Sequence, residues 1–236
     1  VDFSKYFGKN EGSFVLYNLR NDVWSIHDIE HATLRVAPDS TYKIYDALFG
    51  LEEGVITPQD SFIAWNGENY PFEAWNADQT LQSAMASSVN WYFQSVDEQL
   101  GTASVYDYIK KIGYGNENMS GDFSTYWMES SLEISPVEQV ELLIKLQNNR
   151  FDFAPENINA VKDVICLSSS DAGTFYGKTG TGRVDGQDVT GWFIGYIETV
   201  DNTYFFATNI GADSDATGGN ATEITMSILS DMNIWK

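Results

Sequence analysis

The chain has 236 residues, 43% of them hydrophobic, including 7 Trp, 13 Tyr and 14 Phe. That is enough apolar material for a sizeable core, and the aromatic content excludes a disordered chain. Acidic residues outnumber basic ones by 34 to 13, and the resulting net charge of -21 repels phosphate backbones, so no nucleic-acid partner is expected.

No apolar run reaches the roughly 18 residues needed to cross a bilayer, and Val1 opens into a polar stretch rather than a signal peptide. The sequence reads as a mature soluble domain, compatible with a piece of a longer parent. Cys166 is the single cysteine, which excludes an intrachain disulfide and a thiolate metal cluster. His27 and His31 sit four apart, on what reads as a strand running into a turn. They are expected as surface histidines, with no metal bound.

In chain order, residues 13–17 and 22–26 are rich in β-branched and aromatic side chains, and the polar 18–21 between them predicts a hairpin. Helical spacing follows over 81–100, 103–112, 136–146 and 158–166, with Pro136 suited to a first helical turn. Strands are predicted again at 174–178, 189–197 and 204–209, with turns at 180–188 and 198–202. A final amphipathic helix is predicted over 221–234. Strands from both chain ends predict one antiparallel sheet flanked by helices, with the middle of the chain as an inserted all-α lobe. The expected fold class is α+β, one domain over 1–236, with a sheet lobe from about 1–60 and 170–236 and a helical lobe over about 61–169.

Three short segments carry the chemistry. In Asp39-Ser40-Thr41-Tyr42-Lys43, Asp39 is suited to a helix N-cap, which would place Ser40 and Lys43 three apart on one face of the first turn. A serine hydroxyl is a weak nucleophile until a base takes its proton. Lys43 can be that base only when neutral or chemically modified, so its reference pKa near 10.4 has to fall. In Ser87-Ser88-Val89-Asn90, Ser88 could relay a proton and Asn90 donate a hydrogen bond into one cleft; the plain alternative is a polar turn between helices. In Lys178-Thr179-Gly180-Thr181-Gly182, placed at a strand end, Gly180 would let a ligand approach the backbone closely. There Lys178, Thr179 and Thr181 would bind a carboxylate; the plain alternative is a glycine-rich hairpin turn. Each segment alone is a weak signal. Together, in this order, they are the Ser-x-x-Lys, Ser-x-Asn and Lys-Thr-Gly set of penicillin-binding proteins and serine β-lactamases.

Further segments narrow the resemblance. Tyr114-Gly115-Asn116, Tyr126-Trp127-Met128-Glu129 and Leu132-Glu133-Ile134-Ser135-Pro136 resemble class D β-lactamases and, still more, the extracellular sensor domains of the BlaR/MecR transducers. The sensor resemblance continues through Tyr70-Pro71-Phe72, Ala74-Trp75-Asn76, Asn90-Trp91-Tyr92-Phe93 and Gly191-Trp192-Phe193. It implies that Ser40 is acylated by β-lactam antibiotics and that Lys43, N-carboxylated by carbon dioxide near Trp127, is the base. It also implies that the backbone N–H groups of Ser40 and Thr181 form the oxyanion hole.

Hydrolysing class D enzymes usually carry a hydrophobic residue where this chain has Asn90, and in the sensors the lysine loses its carbon dioxide, leaving a long-lived acyl-enzyme. The expected function is therefore a β-lactam sensor on the extracellular face of a membrane, attached through parent segments absent here. The alternatives are a class D β-lactamase that turns the drug over, secreted or extracytoplasmic, and a cell-wall transpeptidase or carboxypeptidase. The arginine that many class D enzymes place after the third motif is missing, since Arg183 is the last arginine and lies in the predicted hairpin turn.

Overall fold

The computed structural model describes residues 1–235. Six strands form one antiparallel sheet in the order β2-β1-β6-β5-β4-β3: β1 (Glu11–Asn18), β2 (Val23–His27), β3 (Cys166–Ser170), β4 (Gly173–Val184), β5 (Gln187–Thr199) and β6 (Thr203–Gly211). Eight α-helices accompany it among the described residues: α1 (Ile29–Thr33), α2 (Lys43–Glu52), α3 (Leu81–Ala86), α4 (Asn90–Leu100), α5 (Thr102–Ile112), α6 (Pro136–Gln147), α7 (Pro155–Val164) and α8 (Gly218–Asp231). The expected antiparallel sheet with flanking helices is what forms. None of the described helices is long and apolar enough to cross a membrane.

The central strands read as nearly continuous apolar runs because both sheet faces are covered, and alternation decides which layer each side chain enters. Phe14, Phe193, Phe206 and Ile210 point to the layer under α8, where Ala221, Ile224 and Ile228 meet them. Val15, Trp192, Ile194, Tyr196 and Phe205 point to the opposite layer, which the other helices fill. Burying one such side chain stabilises the fold by about 1.5–3 kcal/mol. Helix α6 packs against β6, β1 and β5, so this segment of the expected helical lobe covers the sheet itself. Its start is fixed by Pro136 and by a capping box in which Ser135 and Glu138 satisfy each other's backbone N–H groups.

Several local expectations are corrected. The predicted helix over 81–100 is two helices, because the chain breaks at 87–89 with Ser88 at φ +51°. The helix predicted to 166 ends at Val164, and Cys166 instead opens the edge strand β3. The short helix α1 follows β2 directly; its N-cap is Asp28, which accepts from the His31 N–H, and the His31 ring also pairs with Asp28.

The third motif lies within β4 rather than at a strand end or in a turn. The strand continues to Val184, and the turn is Asp185-Gly186 alone, with φ +49° and +79° as a two-residue hairpin requires. Gly180 is there for close approach: a Cβ on it would sit 3.1 Å from the Pro38 carbonyl and 3.3 Å from the Ser40 nitrogen. Asp39 is not a helix N-cap. It sits at φ +48° in a 3-10 turn, Asp39–Thr41, its side chain makes no capping bond, and α2 begins only at Lys43.

Candidate active site

The turn carrying Ser40 is held from several sides. The Asp39 N–H donates to the Trp127 carbonyl (3.0 Å), and the Trp192 indole on β5 donates to the Ala37 carbonyl (2.8 Å). From α6, Gln139 donates to the Thr41 hydroxyl (2.9 Å), which itself donates to Pro38 O (2.7 Å). Ser40 itself is half-buried and opens into a cleft of about 380 Å³.

Lys43 stands one short turn further on and is fully buried. Its Nζ lies 2.7 Å from Ser40 Oγ and 2.7 Å from Asn90 Oδ1. Burial pushes its pKa well below the ordinary lysine value, and the nearby Lys178 pushes in the same direction. Burial thus favours the neutral amine beside the serine, the form that a general base needs. Its Nζ sits 4.2 Å from the centre of the Trp127 ring and 5.6 Å from that of Phe93. Asn90 is anchored at its other end by an Nδ2 donation to Met128 Sδ (3.1 Å).

Lys178 is also buried, and burial lowers its pKa to about 7. It donates to the Ser88 hydroxyl and to the Thr179 carbonyl (2.9 Å), joining the second and third motifs. The unusual φ of Ser88 turns this hydroxyl into the cleft that Ser40, Asn90, Thr179, Gly180 and Thr181 also line. The Thr181 hydroxyl accepts from the Gly218 N–H at the start of α8 (2.9 Å), so its own proton is free to point at a ligand.

Trp127 lies outside this cleft. It lines a smaller adjoining chamber of about 150 Å³ that also reaches Ser40 and Asn90. Its indole N–H, fully buried, has no partner in hydrogen-bond geometry among the described residues.

Four features of the site were not evident from the sequence. Asp39 and Glu129 face each other beside Ser40, and burial together with the Glu129 charge raises the Asp39 pKa well above the carboxylate range. Two further carboxyls are buried, Asp46 one turn along α2 from Lys43 and Asp97 on α4. Met128 fixes the Asn90 amide. Arg183, read as part of a turn, is on β4 and lines the cleft, its Nε donating to Asp188 Oδ1 (2.7 Å) across the hairpin. In the sequence these look like ordinary positions; only their convergence in space marks them.

Residues 12–230 match the penicillin binding protein transpeptidase domain. The chain belongs to that family. Within it, this transpeptidase-family domain is 47% identical over 236 residues, 99% of its length, to the regulatory protein BlaR1 of Bacillus licheniformis, and it spans 39% of that protein. Its fold matches the C-terminal domain of the Bacillus licheniformis BlaR penicillin-receptor with a TM-score of 0.96 and 46% identity, covering 100% of this chain and 96% of that one. The class D β-lactamase BAT-2 matches with a TM-score of 0.92 and 34% identity, covering 100% and 97%. The domain is a homologue of the BlaR sensor domain, and its likeness to class D β-lactamases is secondary.

Proposed function

We propose that this domain is a covalent receptor for β-lactam antibiotics, acylated once at Ser40 and slow to release the product. The observation that carries the reading is the buried Lys43 amine held 2.7 Å from both Ser40 Oγ and Asn90 Oδ1. Lys43 takes the Ser40 proton as Oγ attacks the lactam carbonyl carbon. The ring C–N bond breaks, and the departing nitrogen takes a proton from the Lys178–Ser88 pair. Lys178, Thr179 and Thr181 face the ligand carboxylate, and the backbone N–H groups of Ser40 and Thr181 receive the carbonyl oxygen as it gains charge.

Release would need the same base to activate water. In the acyl-enzyme Ser40 Oγ is an ester oxygen and no longer donates, which leaves Asn90 as the polar neighbour already bonded to the base. The site also suits N-carboxylation of Lys43: a neutral buried amine is the form that reacts with carbon dioxide, and the unpartnered Trp127 indole N–H beside it would hold an added anion. Such a carbamate would supply the general base at Ser40. In the parent protein the domain would face the extracellular side of a membrane and report drug binding.

Intact-protein mass spectrometry tests this. Benzylpenicillin should add one whole drug mass on the Ser40 peptide, and the adduct should persist for tens of minutes. Turnover of nitrocefin at about 1–10³ s⁻¹, the ordinary enzyme range, would make the domain a class D β-lactamase instead.

A further inference from the structure

The Asn90 amide bridges two atoms that ask for different ends of it. Its Nδ2 donates to Met128 Sδ at 3.1 Å, and its Oδ1 lies 2.7 Å from Lys43 Nζ. A thioether sulfur accepts hydrogen bonds and cannot donate one. Only the NH2 end of the amide can serve it, so the oxygen end is left facing Lys43. The side chain makes no other hydrogen bond among the described residues. A neutral amine can donate or accept and would take either end of the amide; the sulfur is what selects.

Met128 is itself held in place. Its backbone N–H donates to the Thr125 carbonyl (2.9 Å), and the carbonyl of its neighbour Trp127 accepts from the Asp39 N–H in the nucleophile turn (3.0 Å). Met128, Asn90, Trp127 and Ser40 line the chamber of about 150 Å³ that adjoins the cleft. Met128 thus stands beside the base and outside the cleft that would take the ligand.

We propose that Met128 is a positioning residue whose sulfur, by keeping the Asn90 oxygen on Lys43, disfavours an anion on that nitrogen. The inference rests on the carboxylated-lysine reading above. Carbon dioxide adds to the neutral Lys43 nitrogen, an N–C bond forms, and one N–H proton leaves to solvent. A group that donates to Asn90 Oδ1 becomes one whose oxygens need donors. The amide could supply them only by turning its NH2 end toward Lys43, at the expense of the bond to Met128 Sδ. One neutral hydrogen bond sets a bias of about fivefold. Leucine has methionine's bulk and no acceptor, so Met128→Leu releases the amide with little change in packing.

The experiment is ¹³C NMR under graded dissolved ¹³CO₂, following label on Lys43 in wild type, Met128→Leu, Asn90→Val and the double variant. Met128→Leu should take up label about fivefold more tightly than wild type, and the double variant should match Asn90→Val. An effect of packing alone would appear in both backgrounds. The acyl-enzyme gives a second measurement: Met128→Leu should shed the drug mass about fivefold faster than wild type, again only where Asn90 is present. Equal affinities in wild type and Met128→Leu, or a gain that survives in the Asn90→Val background, overturn the role of Met128. No label on Lys43 in any of these proteins refutes the carboxylated lysine itself, and the inference with it.

Discussion

Lys178 Nζ on β4 donates to Ser88 Oγ, and so ties the central sheet to the break between α3 and α4. The bond passes through a residue held at φ +51°, a conformation a non-glycine residue adopts only when its surroundings impose it. Ser88→Ala should slow benzylpenicillin acylation by roughly 10²-fold, the lower end for a proton-transfer group. Stopped-flow acylation rates check this, and an unchanged rate would remove Ser88 from the proton path.

Lys43→Ala removes the base and should slow acylation by about 10²–10⁴-fold. Ser40→Ala should abolish the adduct altogether. Time-resolved intact mass measures both, and a drug-labelled Ser40→Ala protein would place the nucleophile elsewhere.

Asn90→Val exchanges a hydrogen-bonding amide at Lys43 for a side chain that only packs. The Lys43 amine then loses one of its two close polar partners and becomes available to water at the ester. Loss of the drug mass from the acyl-enzyme should accelerate at least tenfold, an effect of about 1.4 kcal/mol. Equal release rates in the two proteins would show that Asn90 does not govern persistence.

The buried Lys178 makes a prediction about stability. Its folded pKa of about 7 lies below the ordinary 10.5, so between these values the unfolded chain binds a proton that the folded one does not. Its contribution therefore rises with pH across that window, is lost as pH falls toward 7, and is flat below. Lys178→Met should lower the slope of unfolding free energy against pH by up to about 1.4 kcal/mol per unit between pH 7 and 10. Urea melts at pH 7, 8 and 9 measure this, and parallel slopes would contradict it.

Gly182 lies where β4 passes the Asp39–Glu129 carboxyls, and a Cβ there would fall on the Glu129 side chain and 2.7 Å from Asp39 Oδ2. Gly182→Ala should cost about 1–3 kcal/mol, as overpacking of a filled site does. It should also disturb the nucleophile turn, so acylation should slow together with the fall in thermal midpoint. A variant with wild-type melting and acylation would show that the two carboxyls move aside freely.

What the sequence revealed and what it hid divide on physical lines. The helix α6 was readable because Ser135, Pro136 and Glu138 encode its start locally, and the central strands because their apolar runs are unbroken. The three motifs were readable because their spacing is short. The strand β3 was missed since Cys166-Leu167-Ser168-Ser169-Ser170 is exposed throughout and shows no alternation. Gly180 read as room for a ligand or as part of a turn, and Gly182 as part of that turn, whereas the structure uses both to bring β4 against the nucleophile turn. Nothing in the sequence around Asp46 and Asp97 marks them as buried, and only the packing of α2 against α4 encloses them.

The pairing of β1 with β6 sets Val15 opposite Ala207, joining the two ends of the chain inside the sheet. Contacts this distant in sequence form slowly, because nearly the whole polypeptide must be closed into a loop before they contribute. During synthesis, β1 therefore emerges from the ribosome long before the strand that completes its pairing exists. Until β6 arrives, Phe14, Val15 and Leu16 have only β2 as a sheet neighbour. The sheet is therefore closed across β1 only once Thr203–Gly211 has been made.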